Sequence, residues 1–234
     1  IVTINRPEVY NACHPMANQE MVEAFDEFQA NPDLWVAIIT GAGDKAFCAG
    51  NDLKYHAEIQ AKTGKRPVHP AKGFGGLANR FDLDKPVIAA VNGIAMGGGF
   101  EIALACDIII ASDQAKFALP EPRVGLAAGA GGMQRLSRMI PLKRAMGMML
   151  TGRHVGAKEG YEMGFVTEVE SVNAVEAWLG GLPGQAYADV RRPILLSPSL
   201  AHLLPLSAVW AGPPHNTHLD APPLMLTATD GATP

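Results

Sequence analysis

The amino-acid sequence predicts an α/β fold on three observations. Continuous apolar runs of strand length recur at Trp35–Thr40, Pro86–Val91 and Asp107–Ala111, the pattern of strands buried on both faces. Helical segments with an apolar stripe lie between and around them. Glycine turns, Gly41-Ala42-Gly43 and Asn92-Gly93, close two of the runs. Strands alternating with helices in this way place the chain in the α/β class.

Taken in order, Ile1–Ile4 reads as a short strand closed by Asn5-Arg6-Pro7, and a chain opening directly on a strand implies residues upstream of it. Met21, Ala24, Phe25 and Phe28 recur at i, i+3, i+4 and i+7, which predicts a helix over Pro15–Ala30 with proline at its start. The strand Trp35–Thr40 follows. Residues 54–73 are polar with Gly, Pro and Lys, and read as a mobile surface excursion. The strand Pro86–Val91 then feeds a helix over Gly98–Ala105, and Asp107–Ala111 is the next strand. Met133–Leu150 carries one or two helices with the break at Pro141. Gly164–Glu168 is a last short strand.

Beyond that point the composition changes. Residues 177–234 contain no lysine or glutamate, and their charged residues are Asp189, Arg191, Arg192, Asp220 and Asp230. Prolines interrupt the apolar stretch Leu195–Leu206 at Pro198 and Pro205. The segment is expected to be irregular.

Composition bounds the function. With 48% hydrophobic and 18% charged residues the chain is globular. A net charge of −4 gives no electrostatic reason for nucleic-acid binding. No apolar run is long enough to span a bilayer and no basic-then-apolar signal segment opens the chain, so the expected location is cytoplasmic. Cys13, Cys48 and Cys106 form no Cys-x-x-Cys pair and read as buried free thiols. A P-loop, a dinucleotide fingerprint and a G-x-S-x-G elbow are all missing. His215, His218 and Asp220 have metal-ligand chemistry but sit in the proline-rich stretch, and no metal site is assigned.

The chemistry points to two glutamates. Glu101 follows the glycine triplet Gly97–Gly99, and Glu121 lies in FALPEP (117–122) ahead of the glycine cluster 129–132. Paired carboxylates beside glycine loops suit proton transfer next to a developing oxyanion. The first N–H groups of a helix starting at Gly98 are unpaired and carry partial positive charge. A second donor is available from the loop Cys48–Asp52, which also carries glycine. Losing one such donor typically costs about 3–4 kcal/mol of transition-state stabilisation.

These residues carry a resemblance. Asn5-Arg6-Pro7 with Asn11-Ala12, FCAGNDL (47–53), KPVIAAVNG (85–93), GGGFEIALACD (97–107) and GAGGMQRL (129–136) together resemble the crotonase superfamily, the enoyl-CoA hydratase/isomerase family. The likeness runs from residue 1 to about 170 in order. GFGG (73–76) and FDLDKP (81–86) are most similar to its carnitinyl-CoA dehydratase subgroup.

The resemblance implies a spiral of repeated ββα units, a catalytic core over 1–170, and association into homotrimers or hexamers. It implies an acyl-CoA substrate, with coenzyme A as part of the substrate and no separate cofactor. Asn51 and Gly98 would supply the backbone donors to the thioester carbonyl. Glu101 and Glu121 would flank the double bond, with backbone near Gly129 holding a water. CoA and acyl contacts map to Val9, Tyr10, Ala49, Gly50, Asp52, Leu53, Lys54, Gly97 and Pro120. The implied reaction is hydration or dehydration at the 2,3-double bond, in fatty acid metabolism. A Δ3-Δ2-enoyl-CoA isomerase and a non-catalytic CoA-thioester binder are the alternatives. Family members end in amphipathic helices that support the trimer, and the segment 171–234 lacks their pattern.

Overall fold

A computed structural model describes residues 1–65 and 67–171 of the chain. The expectations for the proline-rich segment, including His215, His218 and Asp220, lie outside the described residues.

The element order is β1 (Val2–Ile4), α1 (Pro15–Ala30), β2 (Ala37–Gly41), β3 (Ala46–Cys48), α2 (Leu53–Thr63), β4 (Val87–Val91), β5 (Ile94–Met96), α3 (Gly98–Ala105), β6 (Ile108–Ser112), β7 (Lys116–Ala118), α4 (Gly132–Met139), α5 (Leu142–Thr151), β8 (Val155–Gly156), α6 (Ala157–Met163) and β9 (Glu168–Glu170). Among the described residues these strands make two sheets. One has the order β1-β2-β4-β6-β9 and is parallel throughout. The other has the order β3-β5-β7-β8, with only β8 antiparallel.

The pairing explains the spiral. In β2–β3–α2 and β4–β5–α3 the first strand enters the larger sheet and the second enters the smaller one. β6 and β7 divide in the same way. The α/β class and the ββα winding expected from the resemblance are both present. What the sequence did not signal was the second strand of each unit, because three residues are too few to display a period of two.

Residues 54–73 require a correction. Their first part forms α2, with the Asp52 carboxylate accepting from the Tyr55 N–H at 3.0 Å as N-cap and Gly64 in the left-handed region as C-cap. None of its side chains is buried, so no apolar stripe marked it. The last strand also sits later than expected. Gly164 ends α6 in a left-handed cap, Phe165 and Val166 are buried beneath it, and ladder pairing falls on β9.

Phe100, Phe117 and Phe165 pack mutually, with ring centroids 5.2, 5.1 and 5.3 Å apart. Phe100 and Phe117 are fully buried, and each such ring stabilises the fold by about 1.5–3 kcal/mol. Two asparagines fasten the sheet ends. Asn11 accepts from Arg6 N–H and donates to the carbonyls of Ala42 and Ala46 at 3.0 and 2.7 Å. Asn92 accepts from Gly41 N–H and donates to the Gly41 carbonyl at 2.9 Å. At Gly99 the space of a Cβ is already taken by the Cys48 carbonyl. That close approach seats the start of α3 directly against β3 and the loop after it.

Candidate active site

The loop after β3 and the first turn of α3 form one wall. Cys13 N–H donates to the Gly50 carbonyl at 2.8 Å, and Asp52 N–H donates to the Cys13 carbonyl at 3.0 Å. This is a parallel bridge centred on Asn51, and in such a bridge the central residue's own N–H points to the opposite side. Gly50 has φ +95, and a Cβ there would meet the Met96 carbonyl at 2.7 Å and Gly98 N at 3.3 Å. Only glycine lets the loop lie this close to Gly98 in this conformation. Gly98 is the first residue of α3, where an N–H has no partner within the helix. Asn51 and Gly98 both line the cavity that this wall bounds.

The two carboxylates complete the arrangement. Glu101 lies in the first turn of α3, is 3% exposed, and accepts from Gly132 N–H at 2.8 Å. Gly132 begins α4, so the carboxylate faces a second helix N-terminus. Burial raises its pKa from 4.5 to about 7, the Glu121 charge adds to this, and the Gly132 amide opposes it. Glu121 opens a short 3₁₀ turn, Glu121–Val124. Burial raises its pKa too, and its Oε2 is buried without a hydrogen-bond partner. Its Oε1 lies 3.1 Å from where a Cβ on Gly97 would stand. Each carboxylate thus leans on a glycine.

A cavity of about 560 Å³ gathers these groups, lined by Asn51, Gly98, Glu101, Glu121 and Gly129. All five residues singled out from the sequence for the reaction meet there. The residues expected to hold coenzyme A do not line that cavity. Val9 and Tyr10 form a surface turn joined to the loop by Ala49 N–H, which donates to the Tyr10 carbonyl at 3.0 Å. Leu53 and Lys54 are exposed at the start of α2. The Asp52 carboxylate is already engaged, capping α2 and pairing with Arg6 at 2.9 Å. Gly97 and Pro120 sit just behind the glutamates.

Phe74, His69 and Asn79 also line the cavity, and sequence reasoning missed them. For Phe74 the signal was present: Gly73, Gly75 and Gly76 all have positive φ and turn the chain sharply around one aromatic residue. His69 had no signal. Among the described residues no cluster of three or more His, Cys, Asp or Glu is placed to hold a metal ion, and no helix is long and apolar enough to cross a membrane. Cys13, Cys48 and Cys106 are buried free thiols.

Comparison with known proteins covers the same part of the chain. The family model described as enoyl-CoA hydratase/isomerase matches residues 1–179. Carnitinyl-CoA dehydratase of Proteus mirabilis is 47% identical over 170 residues, 73% of this chain and 64% of that protein. The carnitinyl-CoA dehydratase of Escherichia coli K12 is 48% identical over the same extent. The chain thus spans a little under two thirds of these relatives' length. Among solved structures, enoyl-CoA hydratase from Mycobacterium tuberculosis superposes with a TM-score of 0.69 at 36% identity, over 79% of this chain and 70% of that one. Carnitinyl-CoA hydratase from Mycobacterium avium gives 0.69 at 40% identity, over 82% and 72%. The winding of the strands, the glycine loops and the extent of the match lead to one conclusion: this chain belongs to the enoyl-CoA hydratase/isomerase family.

Proposed function

We propose that the chain binds a 2-enoyl-CoA thioester and adds or removes water across its 2,3-double bond. The observation that carries this reading is the single cavity in which Glu101 and Glu121 share walls with the backbone of Gly98 and Asn51. Family membership supports it, and the dehydratase relatives run the same chemistry in the direction their name gives.

In the hydration direction the thioester carbonyl accepts from the Asn51 and Gly98 amides, which hold negative charge as the enolate forms. Water, supported by backbone near Gly129, attacks Cβ. Glu101 takes the water proton, and a carboxylate titrating at about 7 suits a base at neutral pH. Glu121 delivers a proton to Cα from the carboxyl whose Oε2 has no partner inside the protein. Their titrations couple, so the active state is one proton held by the pair. Dehydration reverses each step.

The adenine and pantetheine run along Val9, Tyr10 and the loop from Ala49 to Lys54, and Gly97 and Pro120 back the acyl group. Coenzyme A arrives with the substrate and no further cofactor takes part. The exposed apolar side chains Leu142, Met146 and Leu150 on α5 support assembly into a homotrimer or a pair of trimers. A cytoplasmic place in fatty acid metabolism completes the reading.

Mass analysis of the product tests it. Crotonoyl-CoA that gains one water identifies the hydratase. A 3-enoyl-CoA that shifts its double bond without a change in mass, with crotonoyl-CoA left untouched, identifies the isomerase instead. Thioester binding with neither product identifies a non-catalytic binder.

A further inference from the structure

Two stretches far apart in sequence line the cavity, and one side chain bonds to both. Ala78 and Asn79 belong to the segment before β4, and Ala127, Gly129 and Ala130 to the loop before α4. Arg135 Nη2 donates to the Ala78 carbonyl at 2.9 Å, and Nη1 donates to the Ala130 carbonyl at 3.3 Å. To reach them the half-buried side chain folds back along α4 over Gly131, where a Cβ would collide with Nη1. Gly131 is the N-cap of α4 at φ +100, so glycine there serves both the turn and the guanidinium.

The position is an unusual one for a cation. Arg135 is the fourth residue of α4, where the helix dipole opposes positive charge. Glu101 offsets this, since its carboxylate meets the same helix end through Gly132 N–H at 2.8 Å. The guanidinium is engaged by carbonyls, and its charge acts on Glu101 through space. Burial raises the Glu101 pKa, the Gly132 amide lowers it, the Glu121 charge raises it, and the Ala130 amide and the Arg135 charge lower it. In return, burial lowers the Arg135 pKa and the Glu101 charge raises it. Among the described residues, neither the cavity lining nor α3 carries a lysine or another arginine. Arg138 on α4 is exposed. Cys106 closes α3 with its thiol held neutral by burial, and burial also lowers the pKa of His69 on the cavity wall.

We propose that Arg135 positions Glu101 for the reaction: its guanidinium joins the Ala78 and Ala130 walls and sets a positive charge beside the carboxylate. The proposal rests on the reading of Glu101 as the base toward water. A base must be ionised before it can take a proton, and a nearby cation favours that form. The same guanidinium fixes Ala130, whose amide acts on Glu101, so it holds geometry as well as charge. Lysine at this position would keep the charge but lacks the planar fork that bonds two carbonyls at once.

The test measures kcat and KM for crotonoyl-CoA hydration between pH 5.5 and 9 with the full chain, Arg135→Gln and Arg135→Lys. Arg135→Gln is expected to lower kcat at least about tenfold. It should also move the acid limb of the kcat profile up by about one unit, with KM little changed. Arg135→Lys should leave the limb in place and lower kcat severalfold. A second reading needs no turnover. The pH dependence of thermal stability, compared between each protein and its Glu101→Gln counterpart, gives the titration of Glu101. Its midpoint should rise by about one unit in Arg135→Gln. A parent that hydrates nothing while that midpoint rises counts against the hydratase reading alone. A limb and a midpoint that stay in place in Arg135→Gln leave Arg135 a structural role and overturn the proposal. Parent-level kcat in Arg135→Lys overturns the joining of the two walls, and decides the matter should Arg135→Gln fail to fold.

Discussion

The sheet ends and the cavity treat buried polar groups in opposite ways. Asn11 and Asn92 are buried, and each uses its side-chain oxygen and its amide N–H inside the protein. At the cavity, Asn51 Oδ1 and Glu121 Oε2 are buried without a hydrogen-bond partner, as is His56 Nε2 on α2, whose ring lies against the cavity-lining His69. An unsatisfied buried polar atom costs about 1–3 kcal/mol, and such atoms are few in folded proteins. Two of these atoms, on Asn51 and Glu121, line one cavity, whereas the buried Arg80 Nη1, which also lacks a hydrogen bond, is ion-paired with Asp26 at 2.7 Å. The contrast sets residues that hold the fold apart from the cavity's unpartnered pair.

Substitutions can break that division. The largest stability loss is expected at Asn11→Ala, which removes the side-chain partners of the Ala42 carbonyl and the Arg6 N–H and leaves the Ala46 carbonyl only its longer 3.4 Å bond from Asn92. Urea unfolding should show a loss of about 3 kcal/mol, with turnover per folded molecule little changed.

Glu101→Gln should do the reverse, raising stability while lowering activity. Between pH 4.5 and about 7 the native Glu101 keeps a proton that the unfolded chain has released, so stability falls as pH rises through that window. The amide removes this slope, and unfolding at pH 8 should show a gain approaching about 3 kcal/mol. A variant less stable than the parent at pH 8 would place Glu101 with the structural group.

Asp52→Ala is the smallest of these effects, expected at about 1 kcal/mol from the lost α2 cap. Burial opposes ionisation of Asp52, but the Tyr55 amide and the Arg6 guanidinium outweigh it and lower its pKa. Its contribution is therefore present above the unfolded value and fades as pH falls through the folded one. A thermal melt series from pH 7 to pH 3 reads both the size and the sign.

The sequence made much of this legible where physics leaves a pattern. The stripe at Met21, Phe25 and Phe28 set α1 at Pro15–Ala30, and the apolar run at 86–91 became β4. Glu101 and Glu121 stood out beside glycine-rich stretches, Asn51, Gly98 and Gly129 were assigned through the family resemblance, and the five meet in one cavity. Helix α2 was hidden because it buries no side chain. The smaller sheet was hidden because its strands are too short for a period. His69 was hidden because its place depends on tertiary packing of a segment with no regular element.

The most direct test of the account is the rate at which crotonoyl-CoA gains water with the unaltered chain and with Glu121→Gln, at matched folded concentration and saturating thioester. Removing the proton donor should lower the rate by at least about 100-fold, with thioester affinity and thermal stability retained. A Glu121→Gln protein that hydrates crotonoyl-CoA at the parent rate would contradict the claim that the free carboxyl at the cavity wall performs the chemistry.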